Sequence, residues 1–239
     1  MVPVLLYHHL VPGGIVENDS GSVISVEDFR EQMEWLARNG FSTLSLEELA
    51  GFVAGEPKAP ARSVMITFDD GYDSVYLHAY PVLKTLNLKA AVFLIGSRIG
   101  MPAHGNRGHL TWEQVKEMQG SGLVEFGSHT FDGHDVVDDK PALLAWTGET
   151  LIGDARRLHR AFEDHGLPAP TAIAYPGGAY TPTVLAAARE LGYRLGFGTE
   201  RGYVRPGDDP LTLRRIIIFP GTNIQTFERL VQGGYRFQP

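Results

Sequence analysis

The 239-residue chain is 43% hydrophobic and 21% charged, an ordinary globular composition, and its formal net charge of -7 without any basic cluster argues against nucleic acid as a partner. It has no cysteine, which excludes disulfides and thiolate metal sites. No apolar run approaches the ~20 residues needed to span a bilayer, and no basic start with an apolar core and cleavage site is visible, so neither a transmembrane segment nor a signal peptide is expected.

Residues 2–7 form an apolar run that predicts a first strand, stopping at His8-His9. A loop containing Gly13, Gly14 and Gly21 leads to Ser25, placed to cap a helix to about residue 39 with Phe29, Met33, Leu36 and Ala37 on one face and Gly40 after it. Residues 41–44 predict a strand, and Ser45-Leu46-Glu47-Glu48 fits a capping box for a helix to about residue 53. A connector with Pro57 and Pro60 precedes the apolar run 63–68. A helix from Tyr72 to about residue 86 and a strand over 89–95 follow, and then a glycine-rich loop over 96–109, long enough to carry function. Thr111 with Gln114 predicts a second capping box, and residues 123–126 a strand ending in Gly127-Ser128-His129. Residues 135–140 read as polar loop, with Pro141 opening a long helix to about residue 165. A strand over 171–175 ends in Pro176-Gly177-Gly178, and Thr181-Pro182 starts a helix to about residue 191. Strands over 193–198 and 213–219 and a helix over 224–231 complete the chain.

This alternation predicts an α/β fold in one domain spanning residues 1–239, a distorted barrel of about seven or eight parallel strands rather than an open doubly wound sheet. His8, Asp69, Asp70, His129 and Tyr175 each fall where a predicted strand stops, and the C-terminal strand ends form the active face of such barrels. No glycine-rich nucleotide or phosphate loop follows any strand.

The apolar run 65–68 leads straight into Asp69-Asp70-Gly71. Adjacent carboxylates serve one pocket only if the backbone breaks between them, which Gly71 permits. Held close, they need a shared cation or proton. Alone the tripeptide reads more readily as a turn, so a second ligand set has to lift it. His129-Thr130-Phe131-Asp132-Gly133-His134 supplies one: its histidines would sit on different faces of a helix and opposite faces of a strand, and they converge only in a loop. Aspartate and histidine suit a divalent ion such as zinc. Two imidazoles and a carboxylate also describe the facial triad of non-haem iron oxygenases; the second carboxylate beside the first favours hydrolysis. A carbohydrate-binding protein that keeps the fold without turnover is a third reading.

Thr67-Phe68-Asp69-Asp70-Gly71 and Ser128-His129-Thr130 resemble the first two motifs of the polysaccharide deacetylases, carbohydrate esterases with a NodB-like domain. The resemblance extends through Pro3-Val4-Leu5-Leu6-Tyr7-His8-His9, Ala174-Tyr175-Pro176-Gly177-Gly178 and Arg215-Ile216. Two features depart from the commoner members: the second histidine follows the first by five residues rather than four, and the late Leu-x-His carrying the acid is absent, while a histidine ends the first strand. Both resemble the subgroup that deacetylates poly-N-acetylglucosamine in biofilm matrices.

The resemblance implies metal-dependent hydrolysis of N-acetyl groups from a β-linked N-acetylglucosamine polymer, with chitooligosaccharide or peptidoglycan as alternative substrates and an extracellular or cell-envelope location. It implies Asp70, His129 and His134 as ligands of a divalent ion, Zn2+ foremost with Co2+ or Ni2+ as alternatives, and Asp69 as the general base. It implies the Tyr72 backbone N–H as oxyanion donor, and His8 rather than His9 as the acid. Arg215 would orient the base or be a solvated or ion-paired strand-end residue, and Tyr175, Pro176 and Gly177 would line the cleft. Trp112 and Trp146 are sugar-stacking or core residues, and Thr130 and Asp132 support the ligands or merely shape the turn. His78, His104, His109, His159 and His165 match no motif, and the oligomeric state is left open.

Overall fold

A parallel sheet covered on both faces needs strands that are apolar on both sides, and the segments that form the core have that character. They are β1 (Val2–Tyr7), β2 (Ser63–Phe68), β3 (Ala90–Leu94), β4 (Val124–Ser128), β5 (Ala172–Ala174), β6 (Leu195–Arg201) and β7 (Leu213–Ile217). In this computed structural model, which describes residues 1–13, 23–56, 59–103 and 107–234, they pair in the order β1-β7-β6-β5-β4-β3-β2, all parallel. The ring closes because β2 also pairs with β1, from Val4↔Met65 to Tyr7↔Phe68. The result is a closed barrel of 7 parallel strands, within the predicted range. Gly14, Gly21, Pro57 and His104 lie outside the described residues.

Side chains alternate along each stave. Val4, Met65, Phe93, Phe197 and Leu213 belong to one buried cluster, with the Phe93 and Phe197 rings 5.3 Å apart. Their neighbours Leu5, Ile66, Val92 and Leu94 pack instead with the helices through Phe29, Met33 and Leu36. The helices are α1 (Val26–Arg38), α2 (Leu46–Val53), α3 (Tyr80–Leu86), α4 (Trp112–Gly120), α5 (Gly148–Asp164), α6 (Pro182–Glu190) and α7 (Ile224–Val231). Ser25, Ser45, Thr111 and Thr181 cap α1, α2, α4 and α6 as their positions predict, with full capping boxes at Ser45/Glu48 and Thr111/Gln114.

Several predicted elements change. Pro141 does not open the long helix: Lys140–Pro141 pairs antiparallel with Val136–Val137, so the predicted polar loop is a small hairpin turned by Asp138 and Asp139 at φ 49° and 59°, and only a single 3-10 turn, Ala142–Ala145, follows it. Helix α5 starts at Gly148 because the Thr147 hydroxyl accepts from the Thr150 N–H, 3.2 Å away, which sets the first turn there. The helix predicted after Tyr72 begins with a wider turn over Val75–Ala79, and α3 proper starts at Tyr80. The strand predicted over 41–44 shrinks to Ser42–Thr43, flanking β2.

Candidate active site

At the end of β2 the backbone turns out of the sheet through two consecutive left-handed residues, Asp70 and Gly71, both at φ 70°. Aspartate tolerates this region better than most residues, at a cost of about 1–2 kcal/mol. The break releases Asp69 and Asp70 from the strict alternation of a strand, as the sequence requires for a shared pocket.

Asp69 is 2% exposed and Arg215, from β7, is 0% exposed. The guanidinium holds both carboxylate oxygens, Nη1 to Oδ1 at 2.8 Å and Nη2 to Oδ2 at 2.7 Å, while Nε donates to the Gly198 carbonyl at 2.9 Å. Arg215 is therefore not solvated; it is the buried partner of Asp69, seated 5.9 and 5.8 Å from the Phe93 and Phe197 rings. Burial alone would push the Asp69 carboxyl up, but Arg215 and then His129 hold it below its ordinary value.

Asp70, His129 and His134 bring one ligand atom each within 4.8 Å of one another. Asp70 Oδ1 lies 3.1 Å from His134 Nε2 and 3.4 Å from His129 Nε2, yet among the described residues it accepts no well-formed hydrogen bond. A buried carboxylate oxygen facing two imidazole nitrogens, with no hydrogen bond made, fits a divalent cation. His129 Nδ1 stands 2.7 Å from the Ala174 carbonyl, which can only accept; Nδ1 therefore carries the proton and Nε2 presents its lone pair, the orientation that a metal ligand requires. Burial works against charge on His129, but the Asp69 and Asp70 carboxylates outweigh it and push the imidazole up. Burial likewise works against charge on Asp70, and the His129 and His134 imidazoles that face it hold it well below the usual carboxylate range.

The loop between the histidines is tight because of Thr130, which sits at φ 66°, an outlying conformation for a β-branched residue. Its hydroxyl donates to the His129 carbonyl at 2.6 Å and accepts from the Gly133 N–H at 2.9 Å. Gly133 serves the packing of the loop: a Cβ there would lie 2.5 Å from the Trp146 ring, so glycine admits the indole beneath the loop. From outside the loop, Asp154 on α5 accepts the Phe131 N–H at 2.7 Å and the Asp132 N–H at 2.8 Å. Sequence reasoning missed this residue. Its one trace is an acid at an inward position of α5, beside the buried Leu151, Ala155, Leu158 and Phe162. Burial pushes the Asp154 carboxyl up, against the two amides that favour its charge.

His8 follows β1 beside this group; burial lowers its pKa, opposed by the Asp69 and Asp70 charges. His9 is turned elsewhere and buried, with Nδ1 2.9 Å from Ser74 Oγ. The Tyr72 ring lies between His9 and His109, at 5.0 and 5.2 Å, and burial together with the Asp70 charge pushes its phenol up to about 12. Bonds from Leu110 N–H to Gly71 and from Asp73 N–H to Gly108 flank the Tyr72–His109 pair, so the Tyr72 N–H points away from residues 107–110. His109, which matched no motif, thus stands next to the site.

Tyr175 does not line a cleft. Its side chain is 0% exposed in a cluster with Leu143, Val184 and Leu211, and its hydroxyl abuts the space a Cβ at Gly196 would fill. Pro176 is buried too, which leaves Gly177 as the exposed residue of that predicted trio. Trp112 stacks on His165 at 4.2 Å and meets Phe162 edge-on, so it joins α4 to α5. His159, 3.2 Å from the Tyr193 hydroxyl, and His165, 2.7 Å from the Ala161 carbonyl, are structural.

Fold and site together define a hydrolase barrel of the NodB-like deacetylase type, with its ionisable groups at the carboxyl ends of the staves. The chain belongs to the polysaccharide deacetylase family, whose profile matches residues 56–196. It is 30% identical over 210 residues to the poly-beta-1,6-N-acetyl-D-glucosamine N-deacetylase of Staphylococcus aureus (strain MRSA252), covering 87% of this chain and 71% of that one. Among solved structures it is similar to IcaB from Ammonifex degensii, with TM-score 0.84 and 32% identity over 97% of this chain and 95% of the other. It is also similar to the Streptococcus pyogenes deacetylase PplD in complex with acetate, with TM-score 0.84 and 27% identity over 96% and 97% of the two chains.

Proposed function

We propose that the chain, acting as a single deacetylase domain, hydrolyses N-acetyl groups of a β-linked N-acetylglucosamine polymer, poly-N-acetylglucosamine foremost, and releases acetate. The observation that carries this reading is the gathering of Asp70, His129 and His134 within 4.8 Å, with Asp69, gripped by Arg215, at the adjoining position. The Staphylococcus aureus relative, which acts on poly-beta-1,6-N-acetyl-D-glucosamine, supports the substrate class, and the acetate in the PplD complex accords with the product. A polymer of this kind lies outside the cytoplasm, so an extracellular or envelope location goes with the reading. Among the described residues no helix is long and apolar enough to cross a membrane.

Asp70, His129 and His134 would hold a divalent ion, Zn2+ foremost with Co2+ or Ni2+ as alternatives. When bound, such an ion acts as a Lewis acid and lowers the pKa of water. Asp69, kept ionised by Arg215, takes the proton from the attacking water. The Tyr72 N–H, turned away from its neighbouring segment, stabilises the charge that develops on the acetyl oxygen. His8 gives a proton to the amide nitrogen as the C–N bond breaks, because an amine anion is a very poor leaving group.

Acetate release from poly-N-acetylglucosamine, chitooligosaccharide and peptidoglycan fragments tests the reading. Activity should vanish with chelator and return with zinc, cobalt or nickel. Asp69→Asn should retain metal with turnover reduced at least ~100-fold, within the range for losing a general base, and Asp70→Ala should lose both. Folded, fully metallated protein that releases acetate from none of the three would overturn the proposal.

A further inference from the structure

We propose that Asp154 is a positioning residue for the metal ligands, fixing the 129–134 loop in its ligating shape before any ion binds. The inference rests on reading His129 and His134 as ligands, and it concerns what holds them apart at the right spacing. The loop cannot be rigid by local chemistry alone, since Thr130 carries an unfavourable left-handed backbone that something must hold in place. Its neighbours do part of this: Gly96 N–H donates to the Thr130 carbonyl at 3.0 Å and Ser97 N–H to the Phe131 carbonyl at 2.8 Å. The consecutive N–H groups of Phe131 and Asp132 lie at the centre of the turn. Each goes to a separate oxygen of Asp154, at 2.7 and 2.8 Å.

A carboxylate that is 7% exposed and takes two backbone amides is an expensive way to finish a surface loop. Bound to the two backbone amides that lie midway in sequence between His129 and His134, it behaves instead like the hydrogen-bonded groups that orient metal ligands from outside the coordination sphere. Among the described residues Asp154 makes no hydrogen bond to either histidine, and it would act through the backbone. Arg157, one turn further along α5, lays its guanidinium 4.0 Å over the Phe131 ring. Helix α5 thus grips this loop by two side chains.

The test compares wild type with Asp154→Asn, which places a donor amide against a donor N–H, and with Asp154→Ala. Metal-free proteins are titrated with Zn2+ against a competing chelator, the visible spectrum of the Co2+-loaded forms is recorded, and the metal-free melting curves serve as a folding control. Both variants should melt cooperatively, bind Zn2+ about 10–100-fold more weakly and show an altered cobalt spectrum. Unchanged affinity and spectrum in folded variants would overturn the inference while leaving the deacetylase reading intact; wild type that binds no zinc would overturn the reading itself. If neither variant folds, amide exchange in metal-free wild type decides. Slow exchange at Phe131 and Asp132 supports a loop set in advance, and exchange as fast as that of open loops rejects it.

Discussion

Asp69 and Asp70 are sequence neighbours kept ionised by different company. Arg215 holds the first and the imidazoles hold the second, each against burial that favours the neutral acid. Replacing Arg215 by Met would leave Asp69 charged, buried and unpaired. Arg215→Met should therefore cost about 3–5 kcal/mol in urea unfolding, the usual penalty for removing one partner of a buried pair. The same pair makes stability depend on pH. Because the Asp69 carboxyl is depressed in the folded state, its contribution is complete above the unfolded value of about 3.9 and is lost as pH falls through the folded one. The melting temperature of wild type should drop more steeply below that pH than that of Asp69→Asn; equal slopes would show that the pair is not the source. The gathering of Asp70 with both histidines was legible because the acidic turn and the paired histidines, each ordinary alone, together suit one cation. Asp154 was not, because its partners are backbone amides, which leave no mark in a sequence.

At the scale of elements, what was legible was local. Ser45, Thr111 and Thr181 cap the helices that their sequence positions indicate, since the cap is decided within four residues. Strand ends and the 135–147 segment were less so: where a parallel stave stops depends on its neighbours, and Pro141 suits a helix start and a hairpin edge equally well. The break after β2 is an element-level device with a measurable cost. A Cβ at Gly71 would combine φ 70° with a contact of 2.6 Å to Leu94, whereas one at Gly40, at φ 68°, would meet nothing within 4 Å. Gly40→Ala should cost only the dihedral penalty of about 1–2 kcal/mol and leave turnover intact. Gly71→Ala should cost more and lower acetate release as well, because the same turn aims Asp70.

For the whole molecule, ring closure is decisive for the proton-transfer pair, since it brings β1 and, beyond it, β7 round to β2; β2 and β4, on either side of β3, end at the same rim through parallel pairing. An ion bound there by groups from both staves binds the folded chain and not the unfolded one. Zn2+ at 100 times its dissociation constant should add about 2.7 kcal/mol of stability, raise the melting temperature reversibly by chelator, and leave Asp70→Ala unmoved. Closure was predictable from the alternation of strands and helices; the seam was not. That seam joins β1 to β2 with Tyr7 beside Phe68, and the Asp69 N–H reaches the Tyr7 carbonyl at 3.0 Å. His8 and Asp69, the proposed proton giver and proton taker, therefore leave the wall at the same step of one ladder, the one after Tyr7↔Phe68. A slip of a single rung would turn one of them to the opposite side. Changes of length are thus confined to the joints between staves, and the distance over which a proton is handed across the scissile bond is inherited from the weave of the barrel.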